Sequence, residues 1–291
     1  MGPIRQPSLW MTNVRTAALL DQKANLARAE AVAITGQRID RPSDDPAAWP
    51  EVHDLEARIE RQRTFRENGD RASNLLIVAD ESLGMAEDLL TRAHGIAIQG
   101  ASETLNPDDR ISLADQVDDL LEQLIVRANT SVAGQYLFGG AKNDAPPFDA
   151  TGTYVGDAFA TKIDIATGVS AQVGFDGSTT LDPAMRALEQ LSLQMRTGTA
   201  ADVGGTIDQL ETSRRELVTT RATTGLIWNK ADDALTVGIR IEESLTARHA
   251  KVLGADPIEA YTDLAQLRTV YEAALQVSSS ARMPSLFDIM G

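Results

Sequence analysis

The sequence predicts a mainly α protein with a small β subdomain. Both chain termini contribute to a long antiparallel helical bundle or coiled-coil rod, and a β-rich insert lies in the middle. Three observations carry this. Apolar residues recur at three- and four-residue spacing over long stretches free of proline. Between about residues 135 and 181 the period shifts toward two, and aromatics and glycines gather. Proline-bearing turns at Pro42–Pro46 and Asp256-Pro257 set the terminal helices apart from the rest, so the element order reads as a palindrome. The expected segments are a terminal helix (1–40), the first half of a helical rod (41–134), a β-rich subdomain (135–181), the second half of the rod (182–254) and a closing helix (255–291).

From about Ser8 to Thr35 neither glycine nor proline interrupts the chain. Trp10, Val14, Ala17, Ala24 and Ala31 form one seam, and Leu19, Leu26 and Ala33 lie on an adjacent line. Alanine makes the seam shallow, so this helix depends on a partner for its stability. Gly36 ends it, as a glycine just past a helix does.

The loop that follows is Gly36-Gln37-Arg38-Ile39-Asp40-Arg41-Pro42-Ser43-Asp44-Asp45-Pro46-Ala47-Ala48. Pro42 disfavours helical geometry for Arg41. Ser43, Asp44 and Asp45 offer oxygens to the unpaired N–H groups that open the next helix, and Pro46 suits a first helical position. Pro50 falls inside the first turns and predicts a kink or a restarted helix near Trp49-Pro50. Beyond it, Leu76, Ala79, Leu83, Ala86, Leu90, Ala93 and Ala97 make an unbroken seam of alternating large and small residues.

Asn106-Pro107-Asp108-Asp109 is a turn with a built-in N-cap. The next helix places Leu113, Val117, Leu120, Leu121 and Leu124 on one face and is expected to reach about Val132, forming an antiparallel hairpin with the helix before it. Asn129-Thr130-Ser131 matches a glycosylation sequon by chance within that helix. Tyr136, Phe138, Gly139-Gly140, Pro146-Pro147-Phe148 and the period-two runs Lys162–Ile165 and Gln172–Phe175 then predict three or four short strands. Asp182-Pro183 reopens a helix carrying Met185, Leu188, Leu191 and Met195. A loop at Gly198–Gly205 leads into a very long pattern running from Val203, Ile207, Leu210 and Leu217 to Ile241, Leu245 and Val252. After Asp256-Pro257 the last helix carries Ala260, Leu264, Leu267, Tyr271, Ala274 and Ala281, and an apolar tail, Ser285–Met290, closes the chain.

Composition narrows the function. The chain has 291 residues and a formal net charge of −15, which argues against a nucleic-acid partner, since phosphate recognition needs a basic face. The arginines at 58, 61, 63 and 66 alternate with Glu56, Glu60 and Glu67 and read as a solvated helix face. Cysteine is absent, so no thiolate chemistry or disulfide contributes. Residues 1–7 carry no apolar signal-peptide core, and no run reaches the roughly 18 apolar residues of a membrane helix. His53, His94 and His249 have no second ligand at metal spacing. Gly139-Gly140 lacks a phosphate-cradle context, and Asp118-Asp119 and Asp232-Asp233 read as solvated faces. Asp44-Asp45 lacks the spaced oxygens of a calcium loop. No catalytic, cofactor-binding or metal site is expected.

Three stretches carry a resemblance. Thr35–Ala48 is similar to the Ser/Thr-Gly-Lys-Arg-Ile-Asn-Arg-Pro-Ser-Asp-Asp-Pro stretch of the flagellin superfamily, and its two prolines match the hook-associated protein 3 branch rather than the flagellins. Gly134–Gly140 with Pro147-Phe148, followed by Thr151–Tyr154 and Gly156-Asp157, resembles that branch's passage into its outer domain. The helix from Asp256 with Ser285-Leu286-Phe287-Asp288 resembles its C-terminus. Trp49-Pro50 and the alanine-rich first helix depart from the pattern.

The resemblance implies a non-enzymatic structural protein of the bacterial flagellum, extracellular, at the hook–filament junction, and exported without a cleavable signal. It implies hook-associated protein 1, flagellin, an export chaperone and further copies of this chain as partners, with neither nucleic acid nor membrane. The terminal segments 1–40 and 255–291 would be assembly helices, with an interface through Val14, Leu19 and Leu26 and through Leu264, Leu267, Tyr271 and Leu275. Pro42, Ser43, Asp44, Asp45 and Pro46 would be the joint. A short flagellin is the alternative within the family, and a cytosolic coiled-coil scaffold the alternative outside it.

Overall fold

A computed structural model describes residues 6–280. Ala281 and the Ser285–Met290 tail lie outside the described residues. The order is α1 (Gln6–Thr35), α2 (Trp49–Gly100), α3 (Pro107–Ala128), β1 (Ser131–Val132), β2 (Gln135–Tyr136), β3 (Lys162–Ala166), β4 (Val169–Gln172), α4 (Gly177–Thr180), α5 (Asp182–Thr197), α6 (Ala200–Leu253) and α7 (Pro257–Ser280). The chain forms two compact units: the described residues of Met1–Ile59 with Ser244–Gly291, and Glu60–Glu243. The helices α2 and α6 contribute to both.

The larger unit, Glu60–Glu243, holds the main hydrophobic core. The seam expected in α2 is the centre of that core: Leu76, Ala79, Leu83, Ala86, Leu90, Ala93 and Ala97 are all buried to within 1%. Ala114, Val117, Leu120, Leu124 and Ala128 of α3 and Met185, Leu188, Leu191 and Met195 of α5 close over it, and Leu113 and Leu121 sit at its margin. Side chains of this size contribute about 1.5–3 kcal/mol each when fully buried. The helix pairs run antiparallel. Arg196 near the end of α5 bonds Asp115 and Asp118 in the middle of α3, each at 2.6 Å, and the Gly198 carbonyl just beyond α5 accepts from Arg110 near the start of α3. Across α2 and α6, Trp228 Nε1 donates to Ser73 Oγ at 2.9 Å and Arg66 bonds Glu242 at 3.1 Å. The end of α2 and the start of α3 meet the same place: a Cβ on Gly100 would touch Met195 and Val203, and Arg110 donates to the Gly198 carbonyl.

Two helix boundaries differ from the sequence reading, and the second strand of the 162–172 ladder is Val169–Gln172 rather than the expected Gln172–Phe175 run. The third helix stops at Ala128 rather than near Val132, because Ala133 (φ 51°) and Gly134 (φ 79°) form a two-residue hairpin turn between β1 and β2. The sequon asparagine therefore lies outside the helix. Asn129 caps it, and its side-chain amide both accepts from Phe148 N (3.0 Å) and donates to Phe148 O (2.9 Å). The other change is at α6, which starts at Ala200 and takes in Gly204 and Gly205. Thr199 and Asp202 make a reciprocal cap: the Thr199 amide and hydroxyl donate to Asp202 Oδ2 at 2.8 and 2.7 Å, and Asp202 N donates back to Thr199 Oγ1 at 3.3 Å.

The β region is two separate two-stranded antiparallel ladders rather than one sheet. β1 pairs with β2 (Ser131 opposite Tyr136), and β3 pairs with β4 (Lys162 opposite Gln172), with an irregularity between Asp164 and Ala166. Isolated antiparallel bridges, Gly139–Asp176 and Phe148–Tyr154, lie outside the two ladders. Phe138, Phe148 and Phe175 are buried beneath, so this region folds as part of the larger unit's core. Gly140 is required twice over: its φ is 69°, and a Cβ there would collide with the Asp157 carbonyl.

Candidate functional site

The candidate surface is the smaller unit, formed by α1, α7, the 36–48 loop and the end of α6 with the start of α2. It has little interior of its own. Ile39, Val52, Leu55, Ile59 and Ala260 are its buried apolar residues among those described. The helices α1 and α7 pack antiparallel, with Glu30 facing Arg268 at 3.6 Å. Both side chains of that pair are exposed, so it contributes well under 1 kcal/mol. The face of α1 turned to α7 is the line of Leu19 and Leu26, which are half-buried. The expected main seam is not that face: Trp10 is 66% exposed, Val14 is 49% exposed, and Ala17, Ala24 and Ala31 are exposed. With alanine on every side of the helix, the partner and not the periodicity selects the buried line.

Of the residues expected at an interface, Leu19, Leu26, Leu264, Leu267 and Tyr271 are half-buried between the two helices, while Val14 and Leu275 point outward. Further apolar groups are exposed beside them: Leu20, Ile34, Tyr261, Val270 and Val277. Two shallow grooves run along the pair. One of about 390 Å³ lies between Ala18 and Leu19 on α1 and Val270, Ala274 and Val277 on α7. One of about 340 Å³ lies between Ala29 and Val32 and Ala260 and Leu267. The two-helix element thus exposes a run of apolar side chains larger than scattered single residues would give.

The joint is built by local chemistry. Gly36 adopts φ 68° and its amide closes α1 on the Val32 carbonyl at 2.8 Å. Asp44 reaches backward, accepting from the Asp40 and Arg41 amides at 3.1 and 2.9 Å. Asp45 reaches forward to the Ala47 and Ala48 amides at 3.2 and 3.0 Å, and its other oxygen takes the Arg38 guanidinium at 2.9 Å. These bonds favour the ionised forms. The Asp40 and Arg41 amides hold Asp44 below its usual 3.8, and the Ala48 amide followed by Arg38 does the same for Asp45. No hydrogen bond of the Ser43 side chain occurs among the described residues, so the two aspartates carry the capping. Pro46 opens a turn before the regular helix, Trp49 N bonds the Asp45 carbonyl at 3.0 Å, and α2 starts at Trp49 with Pro50 in its first turn. There the missing N–H of proline costs little.

One element of the joint gave no local signal. Arg38 N donates to the Leu253 carbonyl at 2.7 Å and Ala255 N to the Gly36 carbonyl at 2.9 Å, with Gln37 opposite Gly254. This bridge ties the exit from α1 to the passage between α6 and α7 and brings the two terminal helices together. At the other end of the unit, Glu56 lies between His53 Nδ1 at 2.8 Å and His249 at 3.4 Å. No group of three or more metal-ligating side chains occurs among the described residues, and none of the described helices is long and apolar enough to cross a membrane.

Residues 8–143 match the family model described as the bacterial flagellin N-terminal helical region. Flagellar hook-associated protein 3 of Escherichia coli (strain K12) is 29% identical over 150 residues, which is 51% of this chain and 47% of that protein. The chain thus spans about half the length of the curated relatives it matches. The fold resembles that of Bacillus cereus FlgL (TM-score 0.59, 20% identity, covering 67% of this chain and 98% of that one). It also resembles that of flagellar hook associated protein-3 from Legionella pneumophila (TM-score 0.62, 14% identity, covering 69% and 98%).

Proposed function

We propose that this chain is a member of the flagellin superfamily and the structural junction subunit between the hook and the flagellin filament of the bacterial flagellum, a reading supported by the match of residues 8–143 and by the similarity to flagellar hook-associated protein 3. The observation that carries this reading is the α1–α7 pair: two terminal helices joined by a backbone bridge, half-buried against each other and lined with exposed apolar residues. Such a surface reaches a stable state by burying itself against neighbours. In this reading residues 1–40 and 255–291 are assembly helices, 41–134 and 182–254 are the two halves of the rod, and 135–181 is the outer subdomain. The partners are hook-associated protein 1 on one side, flagellin on the other, and further copies of this chain in a ring. An export chaperone holds the C-terminal helices before secretion. Contacts within such a stack are heterologous and close through the symmetry of the tube.

The match to a flagellin region also supports a second reading, a short flagellin. Immunogold labelling of purified hook–basal bodies and filaments separates the two. Label confined to the distal end of the hook, with loss of filaments but not hooks on deletion, is the expected result. Label along the whole filament would establish the flagellin reading instead. Retention in the cytosol irrespective of flagellar export would favour a coiled-coil scaffold over both.

A further inference from the structure

We infer that α2 and α6 share a built-in bending level, where Thr219–Gly225 of α6 faces Asp80–Glu87 of α2. It lies within the larger unit and does not depend on where the protein acts. On α6 the sequence is Thr219-Thr220-Arg221-Ala222-Thr223-Thr224-Gly225. All four threonine hydroxyls donate to the carbonyl four residues earlier: Thr219 to Arg215 (2.9 Å), Thr220 to Glu216 (3.0 Å), Thr223 to Thr219 (3.0 Å) and Thr224 to Thr220 (2.9 Å). Each such bond shares a carbonyl already used by the helix ladder, which lengthens the ladder bond and favours bending. Branched side chains also lower helix propensity, and glycine lowers it most among residues other than proline. Packing does not demand that glycine, since a Cβ on Gly225 would meet nothing within 4 Å.

The facing helix is weak at the same height. Gly84 lies in the middle of α2, and the Arg221 guanidinium rests over it, 3.3 Å from where a Cβ would be. Arg221 bonds Asp80 through Nε and a terminal nitrogen, both at 3.2 Å, and Glu87 through the other at 3.0 Å. One cation thus spans two carboxylates that flank Gly84 by a turn on either side. Glu87 lies also 3.6 Å from Arg214. As the helices change curvature, the guanidinium can load onto Asp80 or onto Glu87 without losing a counter-charge. Glycine leaves the space for that movement, and the apolar layer beneath (Leu83, Ala86, Leu217) holds the helices together while they bend.

Hydrogen exchange of the full chain, resolved to single amides by NMR or by overlapping peptides, tests this. Protection at Thr219–Gly225 and at Leu83–Glu87 should be about tenfold below that of the flanking turns at 208–214 and 228–234. Gly225→Ala should raise protection about fivefold at 219–225 only, the factor that a propensity difference of ~1 kcal/mol produces. Gly84→Ala, which crowds Arg221, should act in the same way on α2. Protection at the two segments equal to that of their flanks would overturn the inference. So would a Gly225→Ala gain spread evenly along α6, which would reveal global stability rather than a local joint.

Discussion

Asp45 is the residue on which the joint turns, because one carboxylate serves two backbone amides and Arg38. Its pKa is depressed, so its contribution is complete above the usual 3.8 and is lost as the pH falls below it. In an acid titration, exchange protection at the Ala47 and Ala48 amides should fall over that range, and Asp45→Asn should remove most of that dependence while keeping an oxygen for the cap. Tyr154 shows the opposite sign. Burial, with the Asp176 carboxylate nearby, pushes its phenol up to about 12, and its hydroxyl donates to the Asp157 carbonyl at 2.6 Å. The neutral form is the one that bonds, so its contribution is complete below pH 10 and is lost as the pH rises through about 12. Absorbance titration should show a last tyrosine ionising there, and Tyr154→Phe should abolish that phase. The aspartate caps were legible in the sequence because a cap acts over two or three residues. The Arg38–Asp45 pair was not, since nothing in the order of residues distinguishes Arg38 from Arg41 as the partner.

Among the elements, the helices with large apolar residues were readable and the alanine-rich one was not. The α2 seam and the α5 face are buried as their spacing predicts, because leucine and methionine on one side and charge on the other leave one way to pack. Leu188→Ala, at a fully buried position of α5, should destabilise the larger unit by about 2–5 kcal/mol, read from the urea midpoint of tertiary signals. In α1 the residues expected to be buried are exposed and the adjacent line is the covered one. The start of α6 shows a different failure, since a glycine pair suggested a loop where Thr199 and Asp202 cap a helix. Thr199→Ala should cost about 1 kcal/mol and expose the amides of the first turn to exchange. The end of α3 was missed for the complementary reason: its apolar rhythm continues through Val132, but a turn with positive φ at Ala133 and Gly134 overrides it.

At the scale of the whole molecule the two units divide the work: Glu60–Glu243 holds the aromatic core and the strands, and the other unit displays apolar surface. In the proposed junction role, a charge at the α1–α7 line should separate assembly from folding. Leu267→Asp should abolish filament attachment in cells while the larger unit keeps its near-ultraviolet dichroism and its resistance to trypsin. Normal filaments on cells carrying that variant would remove these residues from the assembly surface.

By itself the sequence determined the mainly helical class, the order of the long helices about a β-rich insert, the α2 and α5 core faces, the capped proline loop and the family resemblance. All of these rest on periodicity, on caps a few residues long or on a contiguous motif. Only the tertiary structure decided which face of α1 is covered, that the strands form two separate ladders seated on the larger unit's core, and that a backbone bridge at Gln37 and Gly254 joins the terminal helices. Those outcomes depend on contacts between residues far apart in the chain. An alanine-rich helix or a two-residue bridge carries no local preference strong enough to choose among them.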